Sequence, residues 1–188
     1  MEDIDNYKGY LLAAHPRRNE SLLRKGVILV VDHDHTGAVG LQLNKPMESN
    51  TTLASVMTNL GMDLKKDHPV YYGGPESPNR IIVVHTLDWS STSTTKIFEN
   101  VGISNDISVL SAISANKGPK YFRAIAGYVR WAPNHLEGEI EMVPPFTEVQ
   151  TSWSIVPGEE DLVFDVNGLD QWHYVIEASA KYQISSWF

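Results

Sequence analysis

The chain has 188 residues, 42% of them hydrophobic and 20% charged, which suits one globular domain with its own core and excludes a disordered or fibrous chain. With 15 Lys and Arg against 23 Asp and Glu, the net charge of −8 offers no overall attraction to phosphate backbones or anionic lipid, so direct nucleic acid binding is not expected. The absence of cysteine removes disulfides, thiolate catalysis and Cys-ligated metal sites, and leaves only His, Asp and Glu for metal chemistry.

The first residues, Met1 to Lys8, show neither the basic start nor the apolar run of a signal peptide. No later apolar segment is long enough to cross a bilayer, so a cytoplasmic protein with no membrane partner is expected. Gly9 to Ala14 reads as a short buried strand closed by His15-Pro16, since proline disfavours a helical residue before it. Asn19 to Lys25 gives at most a helical turn. The basic residues around it, Arg17, Arg18, Arg24 and Lys25, are interrupted by Glu20 and are expected to be solvated. Val27 to Val31 is apolar on both faces and β-branched, as a strand covered on both sides requires. Ala38 to Asn44 is the next strand, and Gly40 within it marks a bulge or a close backbone approach. The polar connection Asp32 to Gly37 is far too short for a parallel crossover, so the two strands form an antiparallel hairpin.

Thr51 and Thr52 cap a helix whose apolar residues Leu53, Val56, Met57 and Leu60 share one face, with Gly61 as its stop. Val70 to Tyr72 is a short strand ended by Gly73-Gly74-Pro75, and Arg80 to His85 is another core strand. Ser90 to Thr95 reads as a loop. From Val101 a strand leads through Ser104-Asn-Asp-Ile into a capped helix ending near Asn116. Tyr121 to Trp131 is the longest strand, with Gly127 as a bend, and Asn134 caps a short helix that Pro144-Pro145 stops. A strand at Asp161 to Asp165 and a helix from about Leu169 to Tyr182 complete a single α+β domain with largely antiparallel strands.

Chemistry is sparse. If Asp32-His33-Asp34-His35 were extended, His33 and His35 would share one face and both aspartates the other. Two imidazoles can begin a metal site, but zinc needs at least three protein ligands and no His-Glu-x-x-His or other closed set appears. A solvated turn is therefore expected there, with no metal and no cofactor. Gly73-Gly74-Pro75 lacks the spacing of a phosphate loop and reads as turn geometry. Glu137 and Glu141 would share a helix face beside His135, but an acidic first turn complementing the helix dipole explains them. His85 reads as a satisfied, half-buried core histidine, and no Gly-x-Ser-x-Gly elbow is present.

Taken together, separated segments resemble the YqgE/AlgH family of bacterial proteins. They are Gly9-Tyr-Leu-Leu-Ala-Ala-His-Pro16, Asp32-His33, Gly37-Ala-Val-Gly-Leu-Gln-Leu-Asn-Lys-Pro46, Tyr72-Gly-Gly-Pro75, Val83-Val-His85 and Gly127-Tyr-Val-Arg-Trp-Ala-Pro-Asn-His-Leu-Glu137. The resemblance covers about residues 8 to 180 and implies one domain over 1–188, with its core at about 8–182. It also implies a branched, mostly antiparallel sheet curled into a pseudo-barrel with helices outside. Members carry the label of transcriptional regulator, yet the resemblance supplies no helix-turn-helix and no catalytic residue. The chain departs from the pattern at Asn134-His135, where Gly-Gln is usual, and at Glu76, where an apolar residue is common.

The leading expectation is a non-enzymatic regulatory or binding protein with a protein or small-molecule partner. Its expected groove is lined by Asn44, Gly73, Gly74, Pro75, His85, Trp131, His135 and Glu137. The alternative is a metal-assisted hydrolase built on His33, His35, His85 or Glu137, and direct DNA binding ranks third.

Overall fold

A computed structural model describes residues 6–48 and 51–185; the leader reading of Met1 to Asp5 lies outside the described residues. Strands β1 (Tyr10–Ala14), β2 (Val27–Asp34) and β3 (Gly37–Gln42) form an antiparallel meander with Leu11, Leu29 and Leu41 in register. The β2–β3 pair is the expected hairpin, with a register shift between Val30 and Asp32. Helix α1 (Leu53–Asn59) starts at Thr52, whose side chain accepts from the Ser55 amide while the Ser55 hydroxyl accepts from the Thr52 amide, so two otherwise orphan donors are satisfied reciprocally.

There follow β4 (Val70–Tyr72), β5 (Glu76–Thr86), β6 (Thr95–Phe98), β7 (Val101–Ser104) and α2 (Ile107–Ser114), the last capped by Asp106. The chain continues through β8 (Phe122–Trp131), α3 (His135–Glu141), β9 (Trp153–Pro157), α4 (Glu160–Phe164) and α5 (Gly168–Ser185). The nine strands make one sheet in the order β6-β7-β5-β8-β3-β2-β1-β9, with β4 branching off beside β8. Every pairing is antiparallel except β4 with β8, which is parallel.

The branch has a local cause. The first half of β8 pairs with β4 and the second half with β3, so two strands must meet on one side of it at Gly127. A Cβ on Gly73 would stand 2.2 Å from the Gly127 carbonyl oxygen, a separation that only glycine permits. The sheet also curls until its ends approach. Phe98, at the end of β6, packs on Gly9 ahead of β1 and on Gly158 after β9, where a Cβ would lie 2.6 Å from its ring. A pseudo-barrel results.

The concave face holds the largest apolar cluster, including Leu11, Leu29, Leu41, Val84 and Ile125, and is closed by Leu162 and Val163 of α4 and Trp172 and Val175 of α5. On the convex face one cluster lies under α3 around Ile28, Trp131 and Trp153, and another lies under α1 and α2 around Met57, Val83 and Val109. Among the described residues no helix is long and apolar enough to cross a membrane.

Several expectations need correction. Asp161 to Asp165 is not a strand but lies at α4, because Glu160 and Asp161 suit a helix start while Leu162 and Val163 turn inward together. The strands β6 and β9 were not anticipated, and β5 begins at Glu76 through a register irregularity before Ile81. Asn134 precedes α3 in a left-handed conformation and its side chain makes no capping bond.

Candidate functional site

The strand β2 alternates inward and outward as far as Asp34, so His33 is buried while His35 falls in the exposed turn beyond it. The solvated turn expected over Asp32 to His35 is corrected in part: β2 runs on to Asp34 and buries His33, and only His35 lies in the exposed turn, so the two histidines do not pair on one face. His33 Nδ1 accepts the Tyr7 amide at 2.9 Å, which puts the ring proton on Nε2, and Nε2 donates to Glu137 Oε1 at 2.8 Å. Both ring nitrogens are thus engaged by protein groups, and neither is open to a metal or to a substrate proton. Among the described residues no group of three or more His, Asp or Glu side chains is arranged to hold a metal.

Two residues on from Glu137, Glu139 is buried where the sequence suggested only solvated acids. Arg18, read as part of a solvated basic run, is 3% exposed and reaches Glu139 with Nη2 at 3.0 and 3.2 Å from the two carboxylate oxygens. Its Nη1 donates to the Thr151 carbonyl at 2.7 Å, and its guanidinium lies 4.3 Å from the Trp153 ring centroid. Nε stands 3.0 Å from Glu20 Oε2, at ion-pair distance but without hydrogen-bond alignment. Glu139 Oε2 also accepts the indole N–H groups of Trp153 at 2.6 Å and Trp131 at 3.3 Å, and Oε1 lies 3.4 Å from His135 Nε2. This hub ties the segment after β1, the end of β8, α3 and the start of β9 together. Apart from Arg18 Nε, the polar atoms of the Arg18 and Glu139 pair are engaged within the hub, which suits a structural clamp.

The remaining predicted residues lie elsewhere. Asn44 is a bracket whose amide donates to the Lys25 and Gly168 carbonyls, both at 2.9 Å, and accepts the Val27 amide at 2.8 Å. Gly73 and Gly74 sit at the sheet branch, with Pro75 exposed beside them. His85 is fully buried opposite Phe122, so the whole of the ten-residue β8 separates it from Trp131, roughly 30 Å for an extended strand. Its Nδ1 donates to the Thr86 carbonyl, and its Nε2 accepts the Ser104 hydroxyl, each at 2.9 Å. Burial pushes the His85 pKa below its ordinary value against the opposing effects of the Thr86 bond and Asp88. Trp131, His135 and Glu137 therefore come together around α3, while Asn44, His85 and Gly73-Gly74-Pro75 do not join them in one groove.

An open concavity lies on the same convex face as α3, at the α1–α2 end of the sheet. A groove of ≈ 580 Å³ runs between α1 and α2 over a floor of Val70, Val83 and Ala126. Its walls include Leu60 and Ile107, 49% and 54% exposed. Arg80 lines it and makes no ion pair among the described residues, whereas Asp106 is occupied by the Ser108 and Val109 amides and the Ser91 hydroxyl. The sequence hint was Leu60: it completes the apolar stripe of α1 but lies at the helix end, where nothing in the sequence covers it.

The chain matches the AlgH-like family model over residues 11–182. It is 32% identical to a "UPF0301 protein" of Sphingopyxis alaskensis over 88% of this chain and 85% of that one. It is 30% identical to a "UPF0301 protein" of Shewanella oneidensis over 100% and 95%. Its fold is similar to the solution structure of the AlgH protein from Pseudomonas aeruginosa, with a TM-score of 0.73, 25% identity and coverage of 95% of this chain and 91% of that one. A Corynebacterium diphtheriae protein shares the fold with a TM-score of 0.69 at 22% identity, covering 93% and 88%.

Proposed function

We propose, starting from the fact that the chain belongs to the AlgH-like family, that it is a binding protein whose ligand is a small apolar molecule with an anionic end, held between α1 and α2. The observation that carries this reading is the groove itself: ≈ 580 Å³ with an apolar floor, in the range of about 300–1,000 Å³ that small-molecule sites occupy. Burying an alkyl segment there gains about 25 cal/mol per Å² removed from water. Arg80 lines the groove without an ion pair among the described residues and favours an anionic end, and the Asp106 carboxylate is already hydrogen-bonded by its own helix. The histidines and carboxylates around α3 hold one another, so they support a scaffold role for that face.

Titration with decanoate, followed by amide NMR shifts, tests the reading. Saturable shifts confined to α1, α2, β5 and the middle of β8 are expected. Leu60→Glu, at a half-exposed position, is expected to abolish them. Arg80→Glu is expected to weaken binding by about tenfold, the equivalent of roughly 1.4 kcal/mol. Shifts that stay linear to millimolar decanoate, or that survive Leu60→Glu, would discard it.

A further inference from the structure

A second concavity lies at the other end of α2, and its chemistry is different. Lys65, Lys66 and Lys120 line a pocket of ≈ 280 Å³ together with His68 and Phe122. A neighbouring pocket of ≈ 230 Å³ shares His68, Lys120 and Phe122 and adds Tyr121. Each alone is small, but joined they reach the size that holds a small molecule, about 300 Å³ and above.

Three lysines meet here in a chain of net charge −8, and no carboxylate lines either pocket. The acidic neighbours already accept hydrogen bonds elsewhere. Asp67 Oδ1 accepts the amides of Ala54 at 2.9 Å and His68 at 2.8 Å, while Asp88 accepts the Lys120 amide at 3.0 Å and the Thr86 hydroxyl. Lys65, Lys66 and Lys120 make no ion pair among the described residues. The imidazole of His68 packs on Phe122 with ring centroids 4.8 Å apart, and neither of its nitrogens has a hydrogen-bond partner among the described residues. Flat apolar surface continues past it, since Tyr121 stacks on Phe164 with centroids 6.2 Å apart and Lys120 lies over the Tyr121 ring.

We propose that the joined pockets bind a small phosphate-bearing molecule with a planar ring, its phosphate between Lys65, Lys66 and His68 and its ring against Phe122 and Tyr121. Each element answers a feature of the site. A phosphate supplies the counter-charge that Lys65, Lys66 and Lys120 lack and an acceptor for the free imidazole N–H. A planar ring extends the aromatic surface that the two pockets share. Burial, with the Lys66 charge added, keeps the His68 pKa below its ordinary value in the unliganded protein against the smaller pull of Asp67. An arriving dianion reverses that balance, so binding carries a signature on His68 itself.

Adenosine 5′-monophosphate is the probe, with inorganic phosphate and adenosine as separate arms, followed by NMR of the backbone amides and the imidazoles. Saturable shifts at His68 and Phe122 are expected, with a rise in the His68 pKa on binding. The nucleotide is expected to bind at least tenfold tighter than phosphate or adenosine. Lys65→Gln with Lys66→Gln, both at exposed positions, is expected to cut its affinity at least tenfold, and Tyr121→Ala is expected to weaken the nucleotide but not phosphate. Equal affinity for nucleotide and phosphate would overturn the ring half of the proposal, and equal affinity for nucleotide and adenosine the phosphate half. No saturable shift, or binding unchanged in the lysine variant, would overturn the whole. The decanoate groove shares no lining residue with these pockets, so either site stands or falls alone.

Discussion

Arg18 and Glu139 show how much one pair can hold in place. Each is buried, and between them they engage a backbone carbonyl and two indoles as well as each other. Removing Glu139 leaves the buried guanidinium with only the exposed Glu20 beside it, and breaking such a buried pair typically costs about 3–5 kcal/mol. Glu139→Ala is therefore expected to lower the unfolding free energy by that amount, read in urea as an earlier midpoint with the slope unchanged, while Arg18→Met combined with Glu139→Leu is expected to lose less than the single change. A loss below about 1 kcal/mol for the single change would show that water reaches the guanidinium. The clamp was not legible in the sequence. Arg18 stands in a basic run and Glu139 in an acidic one, and 121 positions separate them. His33 was legible only as a residue at the end of a buried strand: its burial was missed because Asp32 and Asp34 on either side read as a polar turn, and its partner Glu137 arrives from another element.

His85 carries a pH dependence at the same scale. Its folded pKa is depressed by burial below the ordinary 6.5, so as pH falls the unfolded chain takes up the proton first. Its contribution is therefore fully present above pH 6.5 and is lost as pH falls through 6.5 towards the folded value. His68 shifts in the same direction, so His85→Asn is expected to flatten only part of the loss between about pH 7 and 5 in denaturant titrations. The carboxylates depressed by their hydrogen bonds, such as Asp67 and Asp106, act in a lower window, below their ordinary 3.8. An unchanged pH profile in His85→Asn would mean that the imidazole is hydrated in the fold.

At the scale of elements, β8 organises the molecule because β5 flanks it on one side while β4 and β3 divide the other. Gly127, with φ of 75°, is where that division occurs, and a Cβ there would meet the Gly74 and Glu76 carbonyl oxygens at 2.5 and 2.9 Å. Gly61 has a similar φ of 72° but open space around it. Gly61→Ala is thus expected to cost only the left-handed strain, about 1–2 kcal/mol, and Gly127→Ala clearly more because backbone must also move. Chemical denaturation of both variants checks this, and equal losses would mean that the branch yields freely. The sequence marked Gly127 as a bend and found β1 to β3, α1 and α5, since hydrophobic periodicity and turn residues are local signals. It did not reveal that β4 runs parallel to β8, a matter of long-range pairing. It misread α4 because Leu162 to Phe164 is apolar enough for either period. It missed β9, whose Pro157 is tolerated only because the strand lies at an edge.

For the whole molecule, the open question of the fold is how firmly its curled sheet is closed. No strand ladder joins β6 to β9; the seam rests on Phe98 packing against Gly9 and Gly158 and on Asn100 donating to Glu160 at 2.7 Å, while the bond from the Gly158 amide to the Gly9 carbonyl at 2.8 Å extends the neighbouring β1–β9 ladder. A seam held by one ring and a side-chain hydrogen bond opens at lower free energy than the paired strands around it, in the way that sub-global units separate in native-state exchange. Phe98→Ala deletes the ring but leaves every ladder intact. Because the ring is only partly buried, the expected loss is about 2–3 kcal/mol, at or below the low end for phenylalanine truncation in a core. Hydrogen exchange should report the rest: faster exchange at the Gly158 amide and along β6, with the amides of α1, α2 and central β8 slowed or hastened only by the global term. Uniform loss of protection across all of these would show instead that the seam and the sheet open as one unit. In that case the two halves of the convex face, the α3 clamp and the α1–α2 groove, would be coupled through the closure that lies opposite them.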